Sequence, residues 1–214
     1  MFVPLLNCVI FSMYYSGWMK SSSNVIFALI AIFFALGLPV FSQNKPEIAN
    51  IETAKPVVLD DLFVKLNKAK NETDARVFAE QIEQIWAKSG SDTADLLMSR
   101  ADIALKARQY IIALDLVDSV IMLEPKWAEA WNRRATILFL QNDFDGSMRD
   151  IRQVLALEPR HYMAIGGISL IYQAMENKKL ALKAARQALA IYPFMVGLKD
   201  YVDTHAREVE GDTL

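Results

Sequence analysis

The chain has 214 residues, 53% of them hydrophobic and 22% charged, with a formal net charge of -2. That is room for one ordinary domain, and the near-neutral balance gives no electrostatic reason to expect nucleic acid as a partner. The single cysteine, Cys8, leaves residues 43–214 without a disulfide, a nucleophilic thiol or a thiolate zinc site.

Residues 1–42 carry one charge, Lys20, and stand apart from the rest. "MKSSSN" begins at Met19 as a short polar region with one positive charge. "VIFALIAIFFALGLPVF" follows at 25–41, and "VFSQ" offers small residues for a cut after Ser42. That order is a secretory signal. We take Met19 as the true start, because a signal starts with its basic region. "MFVPLLNCVIFSMYYSGW" is then an upstream extension. The expectation is export to the periplasm with cleavage near Ser42. The other reading is an uncleaved inner-membrane anchor, for which the apolar run is slightly short of the roughly 20 residues a span needs. Contact with a membrane is expected only through this leader. No cysteine follows the apolar run, so nothing suggests lipid attachment. Residues 43–57, polar with two prolines, read as a flexible linker.

Helical periodicity begins after Pro56. Leu59, Leu62, Phe63 and Leu66 share one face, in the i, i+3, i+4, i+7 pattern. Asn71 caps a second helix, with Asp74 as a loose capping-box partner. Phe78, Ile82, Ile85 and Trp86 form its apolar stripe. Gly90 suits a helix C-cap, and Ser91 or Asp92 starts the next helix. Residues 58–91 are thus expected to be a helix pair.

Beyond it the chain repeats. Pro125, Pro159 and Pro193 stand 34 residues apart. Small residues recur at the same interval: Ala101, Ala135 and Ser169, then Ala113, Ser147 and Ala181. Small side chains at two facing positions let paired helices approach closely. Each proline ends a second helix, since it has no N–H to continue the ladder. The turns inside each unit are polar: "KARQ", "QNDF" and "MENKK". Units at 94–127, 128–161 and 162–195 follow. Residues 196–209, with Leu198, Tyr201 and Val202 on one face, read as a capping helix. Residues 210–214 read as a disordered tail.

These residues carry a family resemblance. Trp131, Arg134, Ala135, Leu138, Ser147, Ile151 and Pro159 follow the pattern of the tetratricopeptide repeat (TPR). Leu97, Arg100, Ala101, Ala104, Ala113, Val117 and Pro125 repeat it. So do Ile165, Ile168, Ser169, Tyr172, Ala181, Ala185 and Pro193. The chain therefore resembles TPR proteins strongly over 94–193 and as a degenerate leading pair over 58–91. The resemblance implies an all-α, right-handed α-solenoid of antiparallel helix pairs: three repeats, the degenerate N-terminal pair and the C-terminal cap. "WAKSGSDTADLLMSRADIAL", "WNRRATILFL" and "VLALEPRHY" look like exported TPR proteins of Gram-negative bacteria.

Arg100 and Arg134 depart from the pattern, standing where the family has a packed leucine. A buried arginine needs a carboxylate, and Asp115, Asp118 and Asp150 are the candidates. Either an inter-helix ion pair or a ligand-binding arginine is expected there.

Catalytic chemistry is not legible. His161 and His205 are the two histidines, and neither has the spacing of a metal site. "IGGIS" at 165–169 lacks the basic residue of a phosphate loop. Gly166 and Gly167 read as letting something approach the helix closely, or as simply weakening that helix. "RDIRQ" and "DLVD" read as solvated charged faces. We expect no enzyme, no catalytic residue, no cofactor and no metal.

What remains is a surface. In the family the first helix of each pair lines a concave groove. Carried over position by position, that lining is Met98, Asp102 and Lys106, then Asn132, Thr136 and Phe139, then Met163, Gly166 and Leu170. It leans apolar, with adaptable methionines. It also lacks the Lys and Asn with which some relatives clamp a terminal carboxylate, since Met98 and Asp102 stand there. The implied function is a protein-protein interaction adaptor or scaffold of the cell envelope, binding a peptide or helix of a partner. The alternative is a membrane-anchored structural subunit of an envelope complex.

Overall fold

A computed structural model describes residues 49–211, with side chains from Val57 onward except at Glu210. The leader, Cys8, the Ser42 cut site and residues 43–48 lie outside the described residues, as do 212–214. Every regular element among the described residues is an α-helix. None of these helices is long and apolar enough to cross a membrane.

Helix α1 spans Ala49–Asn67 and α2 spans Glu72–Trp86. The start of α1 differs from the sequence reading, which placed a linker up to residue 57. The helix runs through Pro56 and begins seven residues earlier. The apolar stripe is what signals a helix in sequence, and that stripe begins only at Leu59. Asn71 caps α2 by accepting the Asp74 N–H at 2.8 Å, and its amide bonds back to the Asp74 carboxylate at 2.9 Å. This satisfies a backbone donor that the first turn cannot. The turn after α2 passes through Gly90, at φ 90°, a conformation that costs glycine nothing.

Three antiparallel pairs follow. They are α3 (Asp92–Lys106) with α4 (Tyr110–Leu123), α5 (Ala128–Leu140) with α6 (Phe144–Leu157), and α7 (Tyr162–Ala174) with α8 (Lys178–Ile191). Helix α9 (Leu198–Glu210) closes the series. The pairs stack in chain order: α4 packs on α5, α6 on α7, and α8 on α9. The result is an α-solenoid of helix pairs.

The repeat sequence explains this regularity. The turn inside each pair puts one residue into the left-handed region, Arg108, Asn142 and Glu176, at φ 58°, 63° and 57°. The backbone then closes the same way three times. Gln109, Asp143 and Asn177 donate to Ala104, Leu138 and Tyr172 carbonyls at 2.9, 2.9 and 2.8 Å, the Schellman closure that satisfies orphan helix carbonyls. Before each repeat proline the residue is extended: Glu124, Glu158 and Tyr192 have ψ of 68°, 96° and 88°.

The small residues meet as expected. Ser147 Oγ donates to the Ala135 carbonyl at 2.8 Å, and Ser169 Oγ to the Ala181 carbonyl at 2.9 Å. The hydroxyl thus sits on the second helix in one repeat and on the first helix in the next. In both it bridges the closest approach of the pair.

The leading pair docks where no sequence pattern points. Leu59, Leu62, Phe63, Leu66, Ala75, Ala79, Ile82 and Trp86 form a core with Tyr162 and Tyr192. Helix α1 packs on α8, whereas α2 makes no comparable packing with α3. The hairpin therefore lies across the turns between repeats. Trp86 stacks on His161 with ring centroids 4.2 Å apart and planes 7° from parallel. Trp127 Nε1 donates to the Trp86 carbonyl at 2.7 Å, and Tyr162 Oη to Glu83 at 2.8 Å. Arg160 bonds to Asp60 at 2.6 Å and lies over the Phe63 ring at 4.2 Å. Burial, with Glu83 beside it, pushes the Tyr162 phenol above its usual range.

Candidate functional site

A groove of about 390 Å³ opens on the face formed by α5 and α7. Its floor is Ala135, Ile151, Ala164 and Gly167, where small residues bring the helices together. Its sides are Asn132, Thr136 and Phe139 from α5, and Met163, Gly166, Leu170 and Gln173 from α7. The loop from Met195 to Leu198 makes the end wall. Met163 and Leu170 stay exposed within it, whereas Phe139 leans on Phe144 with centroids 5.7 Å apart.

The polar side chains of the lining have partners inside the protein. Asn132 donates to Glu129 at 3.1 Å, Thr136 to the Asn132 carbonyl at 2.9 Å, and Gln173 to Ser169 at 3.1 Å. Contact with a ligand there is mainly apolar. No lysine, arginine, aspartate or glutamate is part of the lining.

Six of the nine expected groove positions thus line one cavity: Asn132, Thr136, Phe139, Met163, Gly166 and Leu170. The other three do not join them. Met98 is a correction: it is buried in the core with Ala94, Ala101 and Val117. Its flexible side chain fills space between helices rather than facing solvent. Asp102 faces Arg133 across the repeat boundary at 3.0 Å and is occupied by that ion pair. Lys106 is exposed at the end of α3, away from the cavity.

Residues 195–198 were missed. Met195 closes the last repeat and 196–198 open the cap, so no equivalent position in an earlier repeat announces them as groove wall. One signal was legible: a Cβ on Gly166 would come within 3.1 Å of Met195 Cε and 3.2 Å of Leu198 Cδ1. The glycine admits the end wall. Gly167 likewise admits Ile151 Cδ1, at 3.3 Å from such a Cβ.

The two arginines part company. Arg134 grips Asp150 with two bonds, Nε at 2.7 Å and Nη2 at 2.8 Å, and reaches Asp118 at 2.7 Å. It thereby ties α5 to both α6 and α4. The bonds to Asp150 and Asp118 hold its guanidinium above the ordinary arginine range. Asp150 is only 4% exposed, so the "RDIRQ" face is not fully solvated as the sequence suggested. Arg100, expected to be packed likewise, is exposed and makes no ion pair among the described residues. Its repeat has Leu116 where the next has Asp150.

His161 is fully buried. The Ala164 N–H donates to its Nδ1 at 3.3 Å, capping α7. Nε2 then carries the proton and donates to Glu129 at 3.3 Å. Glu129 also accepts from Asn132 and Arg133. These groups join the repeats behind the groove. His205 stacks on Tyr201 in α9. Among the described residues no three His, Cys, Asp or Glu side chains stand together as metal ligands.

Comparison with known proteins agrees with this architecture. A family model described as "Tetratricopeptide repeat" matches residues 128–161, the central repeat. A TPR repeat-containing protein of Rhizobium etli is 37% identical over 166 residues, covering 78% of this chain and 81% of that one. Among solved structures, the Sgt2 TPR domain from Aspergillus fumigatus superposes with a TM-score of 0.52 at 19% identity. It covers 56% of this chain and 81% of that one. The first TPR of Spaghetti (RPAP3), solved bound to the HSP90 peptide SRMEEVD, gives 0.52 at 18% identity, covering 56% of this chain and 95% of its own. These two likenesses show the fold, and the Rhizobium relative shows the family. A chain that repeats this helix pair three times, and is 37% identical to such a relative over 166 residues, most of both lengths, belongs to the tetratricopeptide repeat family.

Proposed function

We propose that this chain is a non-enzymatic adaptor of the cell envelope that holds an apolar or amphipathic segment of a partner protein in the groove of α5 and α7. TPR proteins commonly mediate protein-protein interaction and peptide binding, and are generally adaptors rather than enzymes. The observation that carries the reading is the groove itself. It is open, about 390 Å³ in volume, and lined by exposed Met163 and Leu170 over a floor of Ala135, Ile151, Ala164 and Gly167. Such a concavity takes up apolar side chains at little cost, since its own polar groups already have partners. The RPAP3 domain shows a peptide held by the same fold. Here the absence of a charged lining favours an apolar segment over an acidic one. The apolar leader at 25–41 supports export to the periplasm.

Photo-crosslinking in living cells tests both parts. A photoreactive residue replaces Leu170, and a control replaces exposed Arg152 on α6. One protein trapped only from position 170, in a chain whose N-terminus is Gln43, is the expected result. Identical products from both positions would overturn the groove reading. An intact leader in the membrane fraction would overturn the periplasmic one and favour the anchored subunit.

A further inference from the structure

The repeats share one template, so each position on α3 has equivalents on α5 and α7. Leu96 stands where Ala130 and Ala164 stand, and Ile103 where Ile137 and Ile171 stand. In the later repeats these four are 0%, 1%, 0% and 1% exposed. The second helix of the preceding repeat covers them: α4 through Val117, Val120 and Ile121, and α6 through Ile151 and Val154. Leu96 is 53% exposed and Ile103 is 66% exposed. Among the described residues no comparable helix lies on them, because α2 crosses the turns between repeats instead.

Charge tells the same story. On α5, Arg134 lies between Ala130 and Ile137 and bonds to Asp118 of the preceding repeat's second helix. Arg100 lies likewise between Leu96 and Ile103, exposed and without a carboxylate among the described residues. On α4, Ile112 and Leu123 lie four and seven residues from Leu116, on the same side, and each is 51% exposed. A solenoid end is ordinarily closed by a cap with a polar outer side. The C-terminal end has one, since α9 shows Lys199, Asp200, Asp203 and Thr204 to solvent. Among the described residues, the outer face of α3 shows leucine, isoleucine and an arginine without a carboxylate partner.

We propose that the outer face of α3 is a second docking surface, separate from the groove, for a partner's amphipathic helix that sets a carboxylate against Arg100 between two apolar contacts. Leu96 and Ile103 supply the apolar contact, and Arg100 fixes register and direction, as Arg134 does for α4. A second copy of this chain fits less well. A two-fold pairing that sets Leu96 against Ile103 opposes Arg100 to Arg100, and the acid on this stripe, Asp92, then lies outside the contact. A head-to-tail stack would bring up the solvent side of α9, which is polar (Lys199, Asp200, Asp203, Thr204) and offers Leu96 and Ile103 no apolar partner.

The chain's own α4 supplies a defined probe, because it is the helix that performs this docking one repeat later. A fluorescent peptide of residues 110–123, made soluble by Ile111→Lys and Met122→Lys, is titrated into the full chain. Saturable binding is expected. Arg100→Glu should weaken it by at least about tenfold, and Asp118→Lys in the peptide should restore binding to that variant. Both protein sites are exposed, so circular dichroism should show Arg100→Glu and Ile103→Glu folded. Absence of saturable binding, or binding indifferent to both variants, overturns the proposal. So does sedimentation of the unliganded chain as a dimer that Ile103→Glu dissolves, since a second copy would then be the occupant.

Discussion

Arg134 is the residue on which the middle of the stack turns. Its guanidinium satisfies a carboxylate, Asp150, that is almost wholly removed from water. Desolvating such a pair is costly, but breaking it is costlier, because one charge is left buried alone. Arg134→Leu should therefore destabilise the fold by roughly 3–5 kcal/mol, read from urea unfolding. Adding Asp150→Leu should recover most of that loss, because no uncompensated charge remains. A single variant as stable as the wild type would show that water reaches Asp150. Arg100→Leu should be nearly silent in the same assay, since Arg100 is exposed and has no carboxylate partner among the described residues. The two arginines occupy one repeat position, yet their surroundings give them different work. Two neighbours announce that difference in the sequence: Leu116 stands where Asp150 does, and Gln84 where Asp118 does.

Among elements, the α1–α2 hairpin shows how far position along the chain can mislead. Its stripes were legible, and so was its Asn71 cap. Its docking site was not, because Trp86 meets His161 and Tyr162, more than seventy residues away. The hairpin holds the turns between repeats through Trp86, Tyr162, Arg160 and Phe63. Trp86→Ala removes the ring at the centre of that contact. The expected cost is about 3–5 kcal/mol. The hairpin should then be cut by protease at residues 87–91 while the repeats stay intact. Uniform loss of protection over the whole chain would instead show that hairpin and repeats unfold as one unit.

For the whole molecule, the two ends of the stack set its behaviour. At the C-terminal end, Leu198 is buried against Ile165, Ala185 and Ala188, and the loop before it walls the groove. Leu198→Asp puts a carboxylate into that contact without a partner. We expect α9 to detach, at a cost of roughly 3 kcal/mol or more. Amide exchange should rise in α9 and α8 first, since stacked repeats lose stability from the end inward. Binding in the groove should weaken in the same variant, because Met195 and Leu198 leave its end wall. Protection lost evenly from α3 to α9 would show a single cooperative block.

The sequence alone determined the helices, their period and the architecture of stacked pairs. Pro125, Pro159 and Pro193, with the small residues in register, are local rules repeated at one interval. A translational fold follows directly from its repeat. Six groove positions were legible for the same reason, since equivalent residues of successive first helices fall in line. The tertiary structure decided the rest. It buried Met98, closed the groove with residues 195–198, laid the hairpin across the turns and, among the described residues, left the outer face of α3 without a covering helix. Each of these depends on surfaces that meet across long separations, and no period or local pattern records which surface meets which.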